Sequence, residues 1–166
     1  MKLLRFLLVY VAGVVAAATV SASLAHAQTA RASAPEAEAV VRRVYAAAEN
    51  RDLDALGRLY APDVHIIEGT GLDEGWARYR DHHLAPELEA FQTFHYRPIA
   101  MVSRRLSPRA ALVHVRYALQ ARTASDTLDL VGRATFVLER TGQTWRVVHT
   151  QSSGRARRPS DPPFPS

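Results

Sequence analysis

The chain has 166 residues and no cysteine, enough for one domain with one core and with no recourse to disulfide or thiol chemistry. Its formal charge of +5 comes from 21 Lys+Arg against 16 Asp+Glu. Leaving out Lys2 and Arg5 gives 19 against 16, and leaving out the segment after Gly154 as well gives 16 against 15. A folded part so near neutrality lacks the basic face that nucleic-acid binding requires.

Residues 1–27 read as a secretory signal peptide. Lys2 and Arg5 precede an apolar run from Phe6 to Ala18, and Ala25-His26-Ala27 supplies small residues before Gln28. A membrane anchor is the competing reading, because a spanning helix needs about 20 apolar residues; the small-residue ending favours cleavage. Every basic residue except Lys2 is arginine and alanine is abundant. Together these features predict a bacterial protein that is periplasmic or secreted, with no membrane association after cleavage.

The mature chain then opens with helices. Ser33-Ala34-Pro35-Glu36 has capping-box spacing with proline just inside the helix start. Val40, Val41, Val44, Tyr45 and Ala48 fall on one apolar helical face. Asp52 is placed to cap a second short helix carrying Leu53, Leu56 and Leu59, which stops before Pro62. Val64–Glu68 is strand-like and is followed by a turn at Gly69, Gly71 and Asp73. Asp73 is placed to cap a third helix on which Trp76, Tyr79, Arg80 and His83 recur at helical spacing, with Pro86 kinking or restarting it. Thr93–Val102, Ala110–Arg122, Thr127–Glu139 and Gln143–Ser152 are strands, parted by Ser107-Pro108, Ser125-Asp126 and Thr141-Gly142. Helices first and an antiparallel meander last make an α+β domain over residues 28–154. The segment 155–166, with four prolines, reads as a disordered basic tail.

This order resembles the NTF2-like superfamily, in particular its SnoaL-like and DUF4440-like domains, ketosteroid isomerases and the association domain of calcium/calmodulin-dependent kinases. The resemblance implies a cone: N-terminal helices packed on a curved antiparallel sheet around an internal pocket. Val40–Gly69 is similar to the opening of a ketosteroid isomerase, where an acid at the end of the strand is the general base; Glu68 takes that place. The isomerase's helix tyrosine corresponds to Val44, one residue from Tyr45, and its second acidic donor falls near Ala134. Without those donors an enolate is poorly stabilised. The second half is similar to the kinase association domain through Arg116, Arg133, Gly142, Trp145, Val148-His149 and Ser153-Gly154. In that family such arginines face the pocket and bind carboxylates.

The residues taken one by one leave a choice. Glu68 is either a base with a pKa raised by an apolar pocket or the partner of a pocket arginine, which would lower it. Strand alternation puts His114 and Arg116 on one face. Residue type alone sends that face to solvent, and the resemblance turns it inward. His83 shares a helix face with Trp76 and Tyr79, while His149 shares strand parity with Trp145 and Val147. No His-x-His or His-x-x-x-His pair occurs, and neither a metal nor a cofactor is expected. The catalytic candidates are Glu68 and His83; the ligand-binding candidates are Trp76, Tyr79, His114, Arg116, Arg133 and His149. The expected activity is binding of a small, partly apolar anion by Arg116 and Arg133. The alternatives are a cofactor-independent acid–base enzyme of isomerase, lyase or cyclase type and a dimerisation domain. The expected partners are a small anionic ligand and a second copy in a homodimer.

Overall fold

The computed structural model describes residues 33–165. The signal-peptide reading of residues 1–27 lies outside them. Two helices, α1 (Pro35–Glu49) and α2 (Leu53–Leu59), precede strands β1 (Tyr60–Glu68) and β2 (Gly71–Glu74). A short helix α3 (Trp76–Tyr79), a π-helical turn at Arg80–Leu84 and α4 (Ala85–Ala90) follow. The chain then runs through β3 (Thr93–Ser107), β4 (Ala110–Arg122), β5 (Thr127–Thr141) and β6 (Thr144–Ala156). No helix among the described residues is long and apolar enough to cross a membrane.

The six strands form one sheet in the order β2-β1-β6-β5-β4-β3. β3 to β6 are an antiparallel meander, as expected, while β1 joins parallel to β6 and makes the sheet mixed. The helices lie against one face, giving the α+β cone. The apolar stripe read from the sequence is the buried one: Val40, Val41, Val44, Tyr45 and Ala48 of α1 all enter the core. Trp76 stacks on Tyr60 with ring centroids 5.2 Å apart. Gly57 of α2 makes room for it, since a Cβ there would sit 2.9 Å from Trp76 Nε1.

Three local expectations are corrected. The capping box at Ser33 is not formed: Ala34 is the N-cap without a side-chain bond, and its N–H donates to Ser103 Oγ of β3 at 2.8 Å. A contact 69 residues away in sequence replaces the local one. Asp52 does cap α2, accepting from Ala55 N at 2.8 Å. Asp73 caps nothing, because it belongs to β2 and Gly75 is the N-cap of α3.

The tail is the third. β6 continues to Ala156 and the rest folds back across the outer sheet face. Arg157 Nε donates to Asp129 Oδ1 at 2.7 Å, and Pro165 O accepts from Arg97 Nη1 at 2.9 Å. Phe164 lies under the guanidinium groups of Arg97 and Arg157. Arginines in the tail and the sheet supply the polar partners that a proline-rich segment cannot make with its own backbone.

Candidate functional site

The inner face of the sheet and the helices enclose a cavity of about 400 Å³. Its wall is aliphatic and aromatic, built from Val44, Leu56, Tyr60, Tyr96, Tyr117 and Phe136 among others. Glu68, Glu87 and Tyr79 bring polar groups to it, and no arginine or lysine lines it. Glu68 is there because β1 ends at the cavity's edge and Gly69, with φ of +59°, turns the chain away immediately after.

Glu68 is held from two sides. Tyr79 Oη donates to Glu68 Oε1 at 3.2 Å. His83 Nε2 lies 3.2 Å from Glu68 Oε2 and 3.4 Å from Glu87 Oε1. His83 Nδ1 lies 2.9 Å from Asp73 Oδ2. Carboxylates only accept, so both ring nitrogens are satisfied together only when both carry protons. The π turn makes this arrangement possible. Pro86 has no N–H and its ring would press on the carbonyl one turn back; widening the turn over Arg80–Leu84, with Ala85 N bonded to Arg80 O, relieves that clash. His83 sits in that widened turn, and Tyr79 packs edge-on against it at 5.2 Å.

The electrostatics follow from this packing. Burial raises the Glu68 pKa above its ordinary value; the positive charge of His83 and the Tyr79 hydrogen bond pull it back, and Glu87 and Asp73 push it further up. For His83, burial works against the charged form, but the Asp73 hydrogen bond and the charges of Glu68, Glu87 and Asp73 outweigh it, and the pKa is raised. A carboxylate with elevated pKa beside an apolar cavity, backed by an imidazolium, is equipped to accept and return a proton. Among the described residues no three His, Asp or Glu side chains are arranged to hold a metal ion.

The candidate residues separate into two groups. Glu68, Tyr79 and His83 come together, and Trp76 supports them from behind as a core residue rather than a wall. His114, Arg116, Arg133 and His149 do not join them, which corrects the expectation that they face the pocket. Tyr117 lines the cavity, so its neighbour Arg116 faces outward, as does His114, whose Nδ1 meets Thr135 Oγ1 at 3.0 Å. Arg133 is next to Ala134, which lines the cavity, and two consecutive strand residues cannot share a face. His149 is displaced by a β-bulge: Leu138 pairs with Val147 but Val137 pairs with His149, which puts the histidine on the outer face beside the cavity-lining Thr150. The outward side chains of His114 and Arg116 accord with their residue types and not with the kinase resemblance.

Asp73 and Glu87 escaped the sequence reading. Asp73 reads from the sequence as a cap, and Glu87 is not singled out there; the four-residue spacing from His83 to Glu87 is the available signal. Val44 and Ala134, the positions that the isomerase resemblance assigns to that enzyme's two donors, both line the cavity and are apolar.

The family profile for the SnoaL-like domain matches residues 37–156. The chain belongs to this family. The matched span ends with β6, before the folded-back tail. Among solved structures, an NTF2-like superfamily protein from Salmonella enterica serovar Typhimurium is similar, with 18% identity over 78% of this chain and 96% of its own and a TM-score of 0.66. A protein provisionally named a ketosteroid isomerase, from Shewanella frigidimarina, gives 19% identity over 69% of this chain and 91% of its own, TM-score 0.61. One provisionally named a scytalone dehydratase, from Novosphingobium aromaticivorans, gives 13% over 76% and 91%, TM-score 0.63. At such identities the likeness establishes the fold. No curated protein matches this sequence. The SnoaL-like domain thus carries here a cavity whose wall includes Tyr79, Glu68 and Glu87, with His83 and Asp73 behind Glu68.

Proposed function

We propose that the protein is an acid–base catalyst that moves a proton on a small, uncharged, mostly apolar molecule, with Glu68 as the base. The observation that carries this reading is a part-buried carboxylate on an apolar wall, hydrogen-bonded by Tyr79 and His83 and raised in pKa. Isomerase and dehydratase names among the structural neighbours accord with it. Binding of an anion in the cone is disfavoured, because the cavity wall holds Glu68 and Glu87 and no cation.

In the proposed step a C–H proton of the substrate passes to a Glu68 oxygen. The released electron pair moves onto an adjacent carbonyl oxygen or expels a leaving group from the neighbouring carbon. Glu68 then returns the proton to a second carbon or to the departing group. Asp73 holds the His83 ring, and the His83 charge favours the ionised form of Glu68. Tyr117, whose ring lines the same cavity, is a candidate hydroxyl donor to oxygen that gains charge.

The test uses 5-nitrobenzisoxazole, a neutral aromatic carbon acid whose ring opens on loss of one proton. The protein should accelerate that opening, and Glu68→Gln should lose about 10²- to 10⁴-fold in kcat/KM while thermal melting shows an intact fold. Equal rates for the two proteins would refute Glu68 as the base.

A further inference from the structure

Arg116 of β4 and Arg133 of β5 are direct cross-strand partners. Like charges so placed repel, and a third, Arg155, stands opposite Val131 on β6. The three guanidiniums surround a cleft of about 410 Å³ on the outer face. Gly132 and Gly154, paired across β5 and β6, form its floor. The tail sends one carboxylate into this cluster. Asp161 accepts from Arg155 Nη1 and Nη2 at 2.7 and 2.9 Å and from the Arg158 N–H at 2.8 Å. Arg116 Nη2 is 3.6 Å away, within ion-pair range but too far for a hydrogen bond. The Asp161 side chain is only 7% exposed.

The charges do not balance. Three arginines face one aspartate, and among the described residues Arg133 has no carboxylate within ion-pair distance. Arg116 also keeps donors that Asp161 does not use. The cleft beside Asp161 is open, and a planar fork of donors suits a second carboxylate.

We propose that Arg116, Arg133 and Arg155 form a carboxylate-binding site on the outer sheet face, separate from the cavity, that takes a small dicarboxylic acid alongside the tail's Asp161. The tail acts as a built-in partial occupant: it neutralises Arg155, leaves Arg133 to the incoming acid, and competes with it for Arg116. The hydrogen bonds from Arg155 and the Arg158 N–H hold the Asp161 carboxyl well below its ordinary range, so the occupant stays charged at any pH where a dicarboxylate is itself ionised.

Isothermal titration of the protein with succinate tests this. Succinate should bind; Arg133→Ala, at an exposed position, should weaken it about tenfold, the scale of lost charge-assisted hydrogen bonds. Asp161→Asn should tighten it several-fold, and Glu68→Gln should leave it unchanged. Unaltered affinity in Arg133→Ala would overturn the site. So would a change in Glu68→Gln, which would place the acid in the cavity. Failure of Asp161→Asn to tighten binding would remove the tail from it. Because Glu68 is not part of this cleft, the outcome is independent of the proton-transfer reading.

Discussion

Oε2 of Glu68 lies 3.2 Å from Nε2 of His83, a contact that ties the end of β1 to the π turn before α4. Each group shapes the titration of the other. The imidazolium lowers the Glu68 pKa against the upward push of burial, and the carboxylate raises that of His83 against the downward push of burial.

The first consequence is a pH profile. If Glu68 must be ionised to act, kcat/KM for 5-nitrobenzisoxazole should rise with pH through an acid limb above the ordinary carboxylate value of 4.5. Glu87 contributes to that elevation through its charge. Glu87→Gln should therefore move the limb to lower pH without abolishing turnover. A limb that stays in place would show that Glu87 does not act on the base.

A second consequence concerns Asp73, which we regard as a positioning residue. Its bond to Nδ1 supports the charged ring. In Asp73→Asn the His83 resonances, followed by NMR against pH, should titrate at lower pH than in the parent protein. The Asp73 charge is also one of the upward pushes on Glu68, so its removal should move the acid limb down. A merely structural role for Asp73 would lower melting temperature without shifting either titration.

Stability should follow the same pair. His83 has a folded pKa above 6.5, so the stability it contributes is complete below 6.5 and is lost as pH rises through the folded value. Glu68, raised above 4.5, works in the same direction from a lower starting pH: its contribution is complete below 4.5 and fades as pH climbs. The melting-temperature advantage of the parent protein over His83→Gln should therefore shrink from mildly acidic to mildly alkaline buffer. An advantage that grows would contradict the raised pKa.

Tyr79 offers a smaller test. Tyr79→Phe removes a hydrogen bond to a part-buried carboxylate, at a cost of about 1–3 kcal/mol in denaturant unfolding. The same bond lowers the Glu68 pKa, so the acid limb should shift up in this variant. Stability lost with no shift would place the Tyr79 hydroxyl outside the proton-transfer machinery.

Gly132 links the two faces of the sheet. A Cβ at this position would come 2.2 Å from Cζ of Tyr117 and 2.5 Å from Ser153 O, so Gly132→Ala must push the tyrosine into the cavity or part β5 from β6. Overpacking of this kind costs about 1–3 kcal/mol, measurable by denaturant unfolding. The displaced ring should also reduce affinity for cavity ligands; an unchanged KM for 5-nitrobenzisoxazole would mean that Tyr117 does not bound the substrate space.

Much of this protein is legible in one dimension. The α1 stripe from Val40 to Ala48, the Asp52 cap, the four late strands and the placing of Glu68 at a strand end all depend on neighbours within a turn or a hairpin, where period and propensity act directly. The faces of His114, Arg116, Arg133 and His149 do not. In a strand the side-chain period is two, so a one-residue error in register, or the bulge between Val147 and His149, sends a residue to the opposite side. The partners of Glu68 lie beyond local reach as well: Asp73 meets His83 only because β2 folds back on β1 and the π turn rotates the histidine toward it. The sequence by itself determined the first two helices, β1, the four late strands, their order and the family. Tertiary pairing decided which charges share a cavity, since side chains from different strands meet only where backbone register and packing bring them, and no local pattern encodes that distance.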